Sequence, residues 1–233
     1  MLHILTPKLF LKIEKILMPL LILLFPITLS LGLYYAIFSS PPDYQQGEMV
    51  RVMYVHVPSA WMSLGVYSFI SICSFSALVW KTRLAYIMAV AAAPIGATFA
   101  LITLVTGSLW GKPIWGTWWV WDARLTSMLI LFLQYISYIM IINSSGNLFR
   151  AEKPASVMVL IGFINIPIVK FSVDIWYSLH QPASVFKSGG SSIHSSMMIP
   201  LMIMFFSFIL YFLILLLIGT KTILNNYKNK RLI

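Results

Sequence analysis

The sequence predicts an all-α polytopic membrane protein with six transmembrane helices and both termini in the cytoplasm. Three observations carry that prediction. The 233 residues are 60% hydrophobic and only 9% charged, with a mean hydropathy of +0.89, too little charge to cover the surface of a soluble domain. The apolar residues gather in six runs, each long enough or nearly so to cross a hydrocarbon core of about 30 Å. Finally, the sixteen Lys and Arg divide unevenly between the connections. Eleven (Lys8, Lys12, Lys15, Lys81, Arg83, Arg150, Lys153, Lys221, Lys228, Lys230 and Arg231) fall on the two termini and the second and fourth connections. Five (Arg51, Lys112, Arg124, Lys170 and Lys187) fall on the first, third and fifth. The positive-inside rule then puts the termini in the cytoplasm and the odd-numbered connections outside.

In chain order the runs are Ile16–Phe38, Pro58–Trp80, Leu84–Val105, Leu125–Ile142, Ala155–Val169 and Met197–Ile218. They predict one integral membrane domain over 1–233 with spans at about 16–38, 58–80, 84–105, 125–142, 155–171 and 197–218. The fifth is short and can continue through Asp174 to about Leu179. The first is too long for a signal-peptide core and has no clear small-residue cleavage site, so it reads as an uncleaved span. Pro19, Pro26, Pro94 and Pro167 fall inside spans, where each removes a backbone donor and kinks its helix. Pro58 and Pro154 fall where helices are expected to begin, the position that tolerates proline best. The Gly- and Ser-rich stretch Ser188–Ser196 reads as a loop.

Composition also excludes several classes. The net charge of +10 is dispersed along the chain, which describes topology and not a nucleic-acid footprint. The single cysteine, Cys73, allows neither an internal disulfide nor a Cys-x-x-Cys-His attachment of covalent haem. No glycine-rich phosphate loop is present, so nucleotide hydrolysis belongs elsewhere.

The chemistry concentrates in the expected outer connections. The outer loop 106–124 holds five of the eight tryptophans (Trp110, Trp115, Trp118, Trp119 and Trp121), in a stretch that ends on Asp122. Indoles offer broad flat apolar faces with one N–H that seeks a partner. Two readings stand open: an aromatic belt at headgroup level, or a surface for a large planar apolar ligand with a polar edge. A belt spreads its aromatics over many helix ends, and this cluster sits in one connection.

His56 lies in the first outer connection, just outside the second helix if Pro58 opens it; His180 and His194 lie in the third, and His3 on the other side. Phe171, Ile175 and Leu179 share one face at i, i+4, i+8, so a short helix ending at Gln181-Pro182 can precede His180. Two imidazoles from separate connections can take both axial positions of a haem iron. Arg51 and Arg124 are then placed to meet the propionates through a bidentate fork, with Asp122 pairing with Arg124 or accepting an indole or imidazole N–H and so orienting the site. The plain alternatives are rim histidines, headgroup-bound arginines and a helix-start aspartate.

The motif Trp115-Gly-Thr-Trp-Trp-Val-Trp-Asp122 fits the Trp-Gly-x-x-Trp-x-Trp-Asp signature of the haem-handling proteins of cytochrome c biogenesis. Within that group the sequence most resembles the CcmC family, through Met53-Tyr-Val-His56-Val-Pro-Ser-Ala60 before the second span and Trp176-Tyr-Ser-Leu-His180-Gln after the fifth. The resemblance covers nearly the whole chain. It implies a non-enzymatic protein of the bacterial inner membrane that binds non-covalent haem (haem b) on its periplasmic face and delivers it to a periplasmic chaperone, CcmE. It further implies His56 and His180 as axial ligands, Trp115, Trp118, Trp119 and Trp121 as the haem platform, and CcmA, CcmB and CcmD as membrane partners.

Two other functions compete. A haem lyase would form thioether bonds to apocytochrome, and this chain offers no extra thiol or base cluster for that. A small-solute transporter would need central ionisable groups or broken helices at the bilayer midplane, and the spans supply few.

Overall fold

The structure, a computed structural model, describes residues 6–180, 184–185 and 190–229. Within them the chain is entirely helical apart from its connections: α1 Pro7–Tyr34, α2 Met53–Trp80, α3 Arg83–Trp115, α4 Ala123–Ser144, α5 Leu148–Gly162, α6 Asn165–Ile175 and α7 Ser195–Asn229. Six segments are long and apolar enough to cross a membrane, with α5 and α6 forming one of them. An even number of crossings returns α7 to the side on which α1 begins.

The helices are longer than the apolar runs. α2 starts at Met53 after a 3₁₀ turn over Glu48–Val52, which places His56 inside the helix and Pro58 six residues into it. α3 continues ten residues past Val105 to Trp115, so the connection expected over 106–124 shrinks to 116–122. α5 begins at Leu148, where the Asn147 side chain accepts from the Phe149 N–H at 2.9 Å, and Pro154 therefore lies within it. Hydropathy marks the hydrocarbon layer, whereas the backbone goes on closing its own hydrogen bonds into the headgroup layer.

Pro167 acts where expected. It cannot donate to the carbonyl four residues back, and the helix breaks at Phe163–Ile164, separating α5 from α6. α6 then ends at Ile175, with the Trp176 N–H on the Ser172 carbonyl at 2.9 Å. The helical face through Leu179 is therefore not formed, and His180 sits on non-helical chain. The expected Gln181-Pro182 stop, His3, Lys187, Lys230 and Arg231 lie outside the described residues.

The centre of the bundle is α3 against α2. Ala89, Ala92, Ala93 and Ala100 are fully buried, and such small side chains let helix backbones approach closely where lipid offers no hydrophobic drive. α4 closes on this pair through Tyr135, whose hydroxyl donates to the Ser63 carbonyl at 2.7 Å. Its ring lies over Gly96, where a Cβ would fall 2.3 Å from Tyr135 Cε1. α1 is peripheral, with Ile16, Ile22 and Leu23 outward. It is held to α7 by Gly32 against Met204 and by Glu14, whose buried carboxylate accepts from Lys221 Nζ at 2.9 and 3.0 Å.

Candidate functional site

The outer end of α3 organises the site. Thr106 donates its hydroxyl proton to the Ile102 carbonyl at 2.6 Å, so its oxygen meets His56 Nδ1, 3.0 Å away, as an acceptor. An acceptor at that place suits an imidazole protonated on Nδ1, whose Nε2 then keeps a lone pair, the form a metal requires. Gly107 makes room for the ring: a Cβ there would sit 3.0 Å from His56 Cε1. Trp110 meets the imidazole edge-on at 5.6 Å between centroids and donates its indole N–H to Gln46 Oε1 at 2.8 Å. The result is a buried histidine, 9% exposed, gripped on two sides by one helix.

One turn and a half further along α3, Trp115 folds back over Gly111, where any side chain would collide with its ring. Its other neighbour is His180, 6.4 Å between centroids. Trp110 and Trp115 are five residues apart on one helix, a rise of about 7.5 Å, so the two histidines come to the same end of the bundle.

The start of α4 fixes the second histidine. Asp122 caps the helix, accepting the Leu125 N–H on Oδ1 at 2.8 Å, and takes the Ser178 hydroxyl on Oδ2. Ser178 Oγ in turn accepts the His180 backbone N–H at 3.0 Å. Arg124 donates to Ser172 Oγ at 3.3 Å, to the Lys170 carbonyl at 3.2 Å and to His180 Nδ1 at 3.4 Å. Asp122 thus bonds a serine rather than Arg124 or a ring N–H. Arg51 is engaged elsewhere: it pairs with Glu48 and donates to the Ala36 carbonyl at 2.7 Å, at the π-helical end of α1. His194 stays at the exposed start of α7, its Nδ1 2.8 Å from Ser196 Oγ.

The remaining tryptophans form an open ledge. Gly116, at φ +74°, ends α3 in the left-handed region that favours glycine. Lys112 lies over the Trp118 ring at 5.6 Å, and Trp119 meets Trp121 edge-on at 5.5 Å. Trp118 and Trp121 are 55% and 75% exposed, and the Trp119 indole N–H is buried with no partner among the described residues. Exposed indole faces, a guanidinium and two imidazoles are the groups that an iron porphyrin calls for: flat apolar walls, a polar edge and axial nitrogens. Thr106, Gly107, Gln46 and Ser178 escaped sequence reasoning, because the contacts they make join residues far apart in the chain.

The family model described as "Heme exporter protein C" matches residues 1–232. The chain belongs to the heme exporter protein C family. Among its relatives, the heme exporter protein C of Bradyrhizobium diazoefficiens is 49% identical over 90% of this chain and 80% of its own length. That of Haemophilus influenzae is 42% identical over 86% and 81%, and that of Escherichia coli K12 is 43% identical over 79% and 74%. Membership makes this heme exporter family chain a multi-pass, non-enzymatic component of haem handling in cytochrome c biogenesis.

Proposed function

We propose that the chain binds haem at the outer end of α3, on the periplasmic face of a bacterial inner membrane, and delivers it to the chaperone CcmE. The observation that carries this reading is the seat of His56, whose Nδ1 lies 3.0 Å from Thr106 Oγ1, an arrangement that favours a lone pair on Nε2 for iron. His180, beside Trp115, supplies the second axial nitrogen. The exposed faces of Trp118 and Trp121 support the porphyrin and remain accessible to an incoming chaperone. Arg124 and Arg51 are the propionate partners, each giving up bonds it now holds: Arg124 those to Ser172, the Lys170 carbonyl and His180, and Arg51 those to Glu48 and the Ala36 carbonyl. CcmA and CcmB, with ATP hydrolysis in CcmA, and the small protein CcmD complete the assembly.

The test is a pyridine haemochrome assay on detergent-purified protein, wild type beside the His56→Ala/His180→Ala double variant. Wild type is expected to carry haem with a six-coordinate spectrum, and the double variant to lose it. Equal haem in both overturns the ligand assignment.

A further inference from the structure

The two histidines are prepared differently. An arginine has five N–H donors and no acceptor, so the contact from Arg124 Nη1 to His180 Nδ1 requires a lone pair on Nδ1. In a neutral imidazole the proton then sits on Nε2, which cannot bind iron. His56 is in the opposite state, with its proton on Nδ1 and Nε2 open.

We propose that Arg124 is a latch: it holds His180 in the tautomer that cannot ligate, and a carboxylate of the incoming porphyrin opens it. This rests on the haem reading above and deepens it. A carboxylate accepts a guanidinium fork bidentately and more strongly than a neutral ring nitrogen does. Once Arg124 turns to the propionate, its donor leaves Nδ1, the imidazole can move its proton from Nε2 to Nδ1, and Nε2 then carries the lone pair that iron requires. No net proton is gained or lost. Ligation through Nδ1 instead would also require Arg124 to leave. His56 therefore binds first, and His180 closes only on a tetrapyrrole that carries a free carboxylate.

The probe is haem against its dimethyl ester, in which both carboxylates are blocked. Wild type is expected to turn six-coordinate and low-spin with haem, and to stay five-coordinate with the ester, matching His180→Ala with haem. Arg124→Ala lacks the latch and is expected to turn six-coordinate with the ester. Because Arg124 also holds Lys170 and Ser172, a second measurement needs neither variant nor haem. Nitrogen-15 shifts of histidine in the haem-free wild type should show His180 Nδ1 unprotonated and Nε2 protonated, with His56 reversed. A six-coordinate wild-type complex with the ester, or a His180 protonated at Nδ1 before haem is added, removes the latch alone. A wild type without bis-histidine haem removes the haem reading and the latch with it.

Discussion

Asp122 and Ser178 join the start of α4 to the chain carrying the second histidine: one carboxylate oxygen caps the helix and the other takes the serine hydroxyl. Helix geometry and ligand position therefore depend on one side chain. Asp122→Ala should cost about 1–2 kcal/mol through the lost cap and also reduce haem retention. Ser178→Ala should leave thermal stability within about 1 kcal/mol yet reduce haem retention similarly. A melting curve and a haem assay on both variants separate the roles; full haem in Ser178→Ala would show that the link does not position His180.

The seat of His56 makes a sharper prediction. Thr106→Val removes the acceptor for Nδ1–H while keeping shape, and should weaken haem binding by about 10–100-fold, the range for outer-shell partners of ligating histidines. Thr106→Ser should restore it. Haem titration in nanodiscs reads both, and a Val variant that binds like wild type would remove Thr106 from the site.

Gly107 offers an independent check on the same ring. A Cβ placed 3.0 Å from Cε1 pushes the imidazole off its bond to Thr106, so Gly107→Ala should lose haem with little loss of membrane accumulation. Gly65, whose Cβ would meet nothing, is the control: Gly65→Ala should bind haem normally. Identical behaviour of the two variants would sink the argument.

For the ledge, Trp121→Ala removes a side chain that is 75% exposed and packs chiefly against Trp119. It should lower haem retention or chaperone capture several-fold while protein yield stays unchanged. Trp119→Phe deletes the orphaned N–H, and losing a buried unsatisfied donor should hold or raise stability. If haem retention also stays at the wild-type level in both, the ledge is only an interfacial belt.

At the opposite end of the bundle, Glu14→Gln should destabilise by less than the roughly 3–5 kcal/mol typical of a broken buried pair, because Lys221 is 45% exposed. Glu14→Leu with Lys221→Met should recover most of that loss. Thermal unfolding in detergent gives the values, and an unchanged midpoint for Glu14→Gln would contradict the burial.

Hydropathy alone located all six crossings, since each is a contiguous property of the chain. Their ends were illegible for a physical reason: helices persist after the apolar residues stop, so Trp110 and Trp115 proved helical. Gly111 and Gly116 looked alike in sequence, yet one is a flat seat under Trp115 and the other the left-handed stop. The Trp–Asp motif and both histidines stood out because five of the eight tryptophans crowd one connection and polar side chains are scarce in such a chain. The partners that set their protonation were not. Thr106 lies fifty residues from His56, and Arg124 fifty-six from His180, and no spacing rule reports such pairs.

The break before Pro167 gives the two walls of the site unequal footing. His56 stands on α2, a continuous column rooted in the middle of the bundle, whereas the approach to His180 is carried by α6, a three-turn stub cut off from the rest of its span. The first wall stands by itself, whereas the second keeps its place through what α4 lends it: the Ser127 carbonyl that takes Asn165 Nδ2 at 2.9 Å, and Arg124 on Ser172 and the Lys170 carbonyl.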